Sequence, residues 1–196
     1  MPERRKGAID DAQPVQPTRH SEKGKEPSKG KPGSMPLHTV PCFKADKLPT
    51  FKHAEFERQL KGQQDGLNRL TIKEFLENID SPVKRNPAIA RRERKRFQMK
   101  LQKRLQKELM GNMGPEEAKR LSAEQAKETM ASLAALHNPD LIAGGRDAIS
   151  DFGDRQVNST IGPQWKAKIQ GLKRAAQRAS QPGDTSALLN VRLHKC

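Results

Sequence analysis

Tyrosine is missing altogether from these 196 residues, tryptophan occurs once, and aromatic side chains make up only 4% of the chain. With 33% hydrophobic residues in total, the core has to be small and aliphatic. There is little from which to build strands of alternating aromatic and β-branched side chains, which argues against a β-sandwich or barrel. No apolar run approaches the roughly 18 residues that a membrane-spanning helix needs. The opening "MPERRKGAIDDAQ" lacks the apolar middle of a secretory signal. There are 2 cysteines, Cys42 and Cys196, in no spacing with histidine that suits a structural zinc site. Their separation allows a disulfide that closes a long loop, but two reduced thiols of a protein made in the cytosol are the expectation.

Acidic charge is also in short supply: 23 Asp and Glu face 38 Lys and Arg, for a formal net charge of +15. Such an excess attracts polyanions, nucleic acid first, then an anionic membrane surface or an acidic protein. The length suits one domain plus tails. Residues 1–40 read as a disordered Pro/Gly/Lys-rich leader or linker, because they have little to bury against their ordering entropy. Residues 41–196 read as mainly α, a single compact helical domain with little or no β. A short complete protein and the C-terminal piece of a larger one both remain open.

Within that domain, Phe56 and Leu60 share a face of a short helix over residues 53–62, with Glu55 and Gln59 beside them. Thr71 and Glu74 form a capping box for "IKEFLENI". A long helix comes next, over about residues 88–110, its apolar ridge made by Phe97, Leu101, Leu105 and Leu109. Its other faces carry Arg91, Arg92, Arg94, Lys95, Arg96, Lys100, Lys103, Arg104 and Lys107, opposed only by Glu93 and Glu108. A charge run is usually a solvated face, but so many like charges on one helix repel, and phosphates between them would remove the cost. Sparse aromatics argue against stacking on single strands. Pro115 opens a further helix that runs to His137 on the spacing Ala126, Met130, Leu133, Ala134, His137. Pro163 opens a last one, with Trp165, Ile169, Leu172 and Ala176 inward. The tail "ALLNVRL" suits a strand or an extended edge.

The stretch "HNPD", residues 137–140, concentrates chemistry. Asn138 precedes a proline and so leaves helical backbone, Pro139 suits the start of a new short helix, and Asp140 falls in its first turn, where free N–H groups stabilise a carboxylate. A carboxylate beside an imidazole is what general-base or metal-assisted hydrolysis requires. On spacing alone, a satisfied core histidine and a capping carboxylate are the commoner explanation. The neighbouring residues add to the chemical reading: Gly144 and Gly145 permit close backbone approach, and Asp147, Asp151 and Asp154 supply carboxylates to a basic chain. If helical, Asp147 and Asp151 share a face and join Asp140 around a divalent cation; singly, each is more simply solvent-facing charge.

"FERQLKGQQDGLNRLTIKEFLEN", "ALHNPDLIAGG" and "VNSTIGPQWKAKIQGL", in that order, resemble the polymorphic toxin type 15 domain, a family of interbacterial nucleases carried by type VI secretion effectors. The resemblance spans residues 44–196. It implies a metal-dependent DNase whose His-x-x-Asp motif falls on His137 and Asp140. The family's remaining pattern falls on Gln59, Leu60, Gln63 and Asn68, and on Asn158, Ile161, Gly162 and Trp165; Pro163 departs from the pattern at a local turn. It further implies a cognate immunity protein, acidic where it meets the basic surface, and a type VI secretion delivery component. The chain would be made in the bacterial cytoplasm and act in the target cell's cytoplasm.

The leading expectation is therefore an antibacterial toxin that hydrolyses DNA phosphodiesters. In it Mg²⁺ is held by Asp140 with Asp147, Asp151 or Glu55, His137 activates water, and the cations of the long helix hold the backbone. A non-enzymatic basic nucleic-acid-binding module and a toxin acting on RNA are the alternatives.

Overall fold

The computed structural model describes residues 33–181 and 183–196. Of the expected leader, residues 1–32 lie outside the described residues. Residues 33–40 belong to the fold: Met35 and Val40 are buried in the main core, and His38–Thr39 is a short strand, β1. It pairs in parallel with β4, Val191–Arg192, His38 opposite Val191 and Thr39 opposite Arg192. The pairing continues on either side through Met35 N–H to the Leu188 carbonyl and Phe43 N–H to the His194 carbonyl. Cys42 and Cys196 then close the two ends in a disulfide. The expectation of two thiols is thereby corrected: sequence separation carries no distance, and the paired termini bring the two Cα atoms to 4.9 Å.

The elements between are mostly helices: α1, His53–Leu67; α2, Ile72–Asp80; α3, Pro87–Leu109; α4, Pro115–Ser132; α5, Arg155–Ile161; and α6, Trp165–Ser180. Their ends obey the local chemistry. Thr71 accepts from Glu74 N–H while the Glu74 side chain accepts from Thr71 N–H, the reciprocal capping box. Asn86 caps α3 ahead of Pro87, and Pro115 is the first residue of α4. The main core is gathered from α1, α2, α5, α6 and both termini around Trp165, whose ring meets Phe43 edge-on at 5.1 Å. Phe56, Leu67, Phe75, Ile161 and Leu172 are fully buried beside it. The fold is mainly α, as the composition requires.

Helix α4 departs from the expected course. It stops at Ser132, and Leu133–Leu136 becomes a strand, β2, although Leu and Ala are strong helix formers. Two tertiary contacts win. Strand β3, Asp151–Asp154, pairs antiparallel with it, Leu133 opposite Asp154 and Leu136 opposite Asp151. The guanidinium of Arg94 donates to the carbonyls of Met130, in the last turn of α4, and Leu133, the residue that follows the helix. The polar stretch after His137 is accordingly strand β3 followed by α5, and Asp147 and Asp151 do not share a helix face.

Helices α3 and α4 pack on each other as a hairpin through Leu101, Ala118, Ala126 and Met130, buried residues outside the main core. The hairpin is tied to the body by Arg94 and by the stacked rings of Phe97 and Phe152, 4.6 Å apart.

Candidate functional site

The site is assembled where α1 crosses the loop after β2. Phe56, Leu60 and Leu67 root α1 in the core, and its small face, Gly62 and Gly66 at i, i+4, presses on Asn138–Pro139. A Cβ on Gly66 would stand 2.3 Å from the carbonyl carbon and oxygen of Asn138, so only glycine admits this contact. On the other side of the loop, a Cβ on Gly145 would stand 2.0 Å from the Pro139 oxygen, and Gly145 N–H donates to the Asp140 carbonyl at 2.9 Å. Gly144, with φ 83°, ends the short 3-10 turn Leu141–Ala143. The close backbone approach expected of Gly144 and Gly145 is therefore present. Gly66→Ala should destabilise the fold by about 2 kcal/mol despite alanine's better helix propensity, because backbone on the far side cannot yield as a side chain can. Thermal melting beside Gly111→Ala, where the nearest atom is at an ordinary 3.6 Å, measures it. Equal melting temperatures would mean that the loop does not bear on α1.

His137 comes directly after β2 and is 8% exposed. Its Nε2 lies 3.1 Å from Oδ1 of Asp147, itself nearly buried. The second oxygen of Asp147 accepts from the N–H of Asn86, the residue that caps α3. Donation from Asn86 first, and then the His137 contact acting against the cost of burial, hold the Asp147 carboxyl below the usual carboxylate range. Against an ionised carboxylate, Nε2 carries the proton, which leaves the Nδ1 lone pair free. Among the described residues, the side-chain polar atoms both sealed from solvent and unpartnered are His38 Nε2, His53 Nε2 and Gln59 Oε1. His137 Nδ1 is not one of them, and the imidazole keeps 6% of its side-chain surface exposed.

Asp140 is placed differently from expectation. It is the cap of the 3-10 turn and not a residue of its first turn: Oδ1 accepts from Ile142 N–H at 3.2 Å, after a cis Asn138–Pro139 bond. Among the described residues its Oδ2 has no hydrogen-bond donor, and it faces Gly162. The other carboxylates go elsewhere. Glu55 accepts from Arg58, from Gln59 Nε2 at 2.8 Å and from Asp154 N–H at 3.1 Å. Burial pushes its carboxyl up, but these donors outweigh it and the net displacement is downward. Asp151 pairs with the opposite side of the same Arg58. Among the described residues no three His, Cys, Asp or Glu gather as a metal-binding group. Glu55, Asp151, Asp147 and Asp140 thus fall into three separate settings: an arginine clamp, a histidine partner and a turn cap.

The remaining pattern residues join distant blocks of the chain. Gln59 Nε2 also donates to the Asp154 carbonyl at 3.1 Å, so Glu55 and Gln59 together grip the end of β3. Gly153 leaves room for that grip, since a Cβ there would stand 2.7 Å from both side chains. Gln63 accepts from the buried Trp165 Nε1 at 2.7 Å, tying α1 to α6. Asn68 donates to and accepts from the backbone of Val191, holding the C-terminal strand. Asn158 is half-buried in α5. Trp165 is core, as its stripe predicts.

Along α3, Arg91, Arg92, Lys95, Lys100, Lys103, Arg104 and Lys107 are exposed. Arg94 is the exception, spent on the end of α4. Sequence reasoning also missed two cations near the histidine loop. Arg69 and Arg146 line a cavity of about 290 Å³ with Gly66, Asn138, Pro139 and Ser150. Only the loop's folding back on α1 brings them there, and no periodic pattern announces it.

No helix of the described residues is long and apolar enough to cross a membrane, and no curated protein matches the chain. Residues 50–194, from the turn before α1 to just past β4, match the family Novel toxin 15. That span is well over half of the sequence and contains α1, the histidine loop and Trp165, the three blocks that the site joins. The chain belongs to the Novel toxin 15 family.

Proposed function

We propose that this polymorphic toxin domain is a nuclease that hydrolyses DNA phosphodiester bonds at the loop bearing His137. The observation that carries the reading is the state of that imidazole: largely buried, with Nε2 held by Asp147 and Nδ1 not among the sealed, unpartnered atoms of the described residues. A general base needs both a fixed tautomer and a reachable lone pair. Nδ1 takes a proton from water as the water oxygen bonds to phosphorus, and the departing ester oxygen is reprotonated from solvent. Arg69 stands beside the loop, where it would steady the charge of the phosphate, while Arg146 next to it is paired with Glu74. The exposed cations of α3 would hold the backbone without reading bases.

Four carboxylates in three settings do not make a metal cage, and Glu55, Asp151 and Asp147 are occupied by their own donors. Among the described residues Asp140 Oδ2 has no donor, and Mg²⁺ characteristically binds one or two carboxylates plus substrate phosphate oxygens. Asp140 is therefore the residue that would hold it. When bound, Mg²⁺ supplies charge stabilisation at the phosphate. Delivery by type VI secretion, action in the target-cell cytoplasm and an immunity protein with an acidic contact surface complete the proposal; the exposed basic face of α3 is what an acidic partner would meet.

Purified protein incubated with supercoiled plasmid should nick it in Mg²⁺ and not in chelator. Cleavage unaffected by chelator would remove the metal, cleavage of RNA alone would change the substrate, and a bare mobility shift would leave a binding module.

A further inference from the structure

Between α3 and β3 lies a second cavity, of about 500 Å³, a size that accepts small ligands. Phe97 and Phe152, stacked on each other, and the half-exposed Met99 give it an apolar wall, while Arg96, Lys100 and Lys103 stand along the same stretch of α3. Its two carboxylates are already neutralised: Glu93 by Arg92 and Arg96, Asp151 by Arg58. Ser150 lines both this cavity and the one beside Asn138–Pro139, so the two adjoin.

We infer that this cavity binds one unpaired nucleotide of a nucleic-acid strand, its base against the Phe97, Phe152 and Met99 wall and its phosphate on Lys100 and Lys103. An apolar, aromatic wall and a row of cations in one cavity match the two halves of a nucleotide, and any base has a face to lay on such a wall. A duplex buries its base faces, so the cavity selects a frayed, flipped or single-stranded position next to the histidine loop. Sparse aromatics in the sequence argue against stacking, but two of the chain's 6 phenylalanines, 55 residues apart, meet beside the basic helix.

The inference rests on the nuclease reading for its biological substrate, and its test does not. Deoxyadenosine 5′-monophosphate contains no phosphodiester bond, so its binding is readable whether or not the protein cuts DNA. The probe is titrated against ¹³C-methyl methionine-labelled protein, with the Met99 signal assigned through Met99→Leu and inorganic phosphate titrated in parallel at matched ionic strength. The nucleotide should move the Met99 signal with about tenfold higher affinity than phosphate. Lys100→Ala and Lys103→Ala should weaken it, and Phe97→Leu should bring it down to the phosphate level. A Met99 signal that stays still, or that responds equally to phosphate and nucleotide, overturns the inference. Plasmid cleavage combined with either of those outcomes would leave the nuclease reading standing without this cavity.

Discussion

Asp147→Asn should lower the turnover of plasmid cleavage on the order of a thousandfold while leaving plasmid affinity and melting temperature close to those of the unchanged chain. An amide keeps one oxygen to accept from Asn86 N–H and turns its NH2 toward Nε2, so it no longer demands the proton on Nε2 or stabilises an imidazolium, and a base in the wrong tautomer is silent. In the proposed mechanism Asp147 acts through His137, as a positioning residue. A purely structural role would show instead as a fall in stability with turnover per folded molecule preserved. Salt dependence of DNA binding separates the two further, since the α3 cations are untouched and the slope should not move. The sign of the pH effect comes from the depressed Asp147 carboxyl. Its contribution to stability is complete above the unfolded carboxylate value of about 4. That contribution is lost only as pH falls through the lower folded value. Between pH 5 and 9 the folded protein should therefore show no stability change from this group.

Reduction of the Cys42–Cys196 bridge should cost about 5 kcal/mol, the loop-closure entropy released when a crosslink over a separation of 154 residues is cut. For a domain of this size that lowers the melting temperature by about 10 °C or more. The bridge sits at the open end of the paired termini, next to the Cys196 N–H to Phe43 bond, and Cys196 is exposed to a dithiol reductant. The C-terminal strand that it secures is held on α1 by Asn68 and by Gln64, which accepts from Leu193 N–H at 2.8 Å. Loosening it unseats the helix on which Gln59, Gln63 and Gly66 stand. Melting with and without reductant, beside Cys42→Ser, gives the answer; identical curves would show that the thiols are not joined in solution. In a reducing cytoplasm, where such bonds are seldom kept, the toxin would be in its less stable form.

What the sequence discloses here and what it hides divide along a physical line. Local chemistry is legible: the Thr71–Glu74 box, Pro115 at the start of α4, the inward stripe of α6 and the tight turn at Gly144–Gly145 all stand as their residues predict. Contacts between distant segments are not. "LAAL" reads as helix until β3 pairs with it, and Arg94 reads as a phosphate contact until the end of α4 claims it. Asp147 is ten residues from His137, a separation with no periodic signature, and nothing in the spacing distinguishes it from Asp140 as the histidine's partner. Gly62 and Gly66 did carry a signal, two glycines four apart on a helix, a small face that asks for something to press on it. Glu55 and Asp151 follow the same line: carboxylates suited by type to a cation, they stand on either side of Arg58 in the fold, a pairing across 93 residues that no spacing announces.

The most direct measurement is the nicking of supercoiled plasmid by the unchanged chain and by His137→Ala, both freed of any partner and matched in melting temperature. The predicted result is conversion to nicked and linear forms by the first and intact plasmid with the second, at equal affinity for DNA. Equal cleavage by both proteins would contradict it, and the histidine would then be a buried residue of the fold with no part in the chemistry.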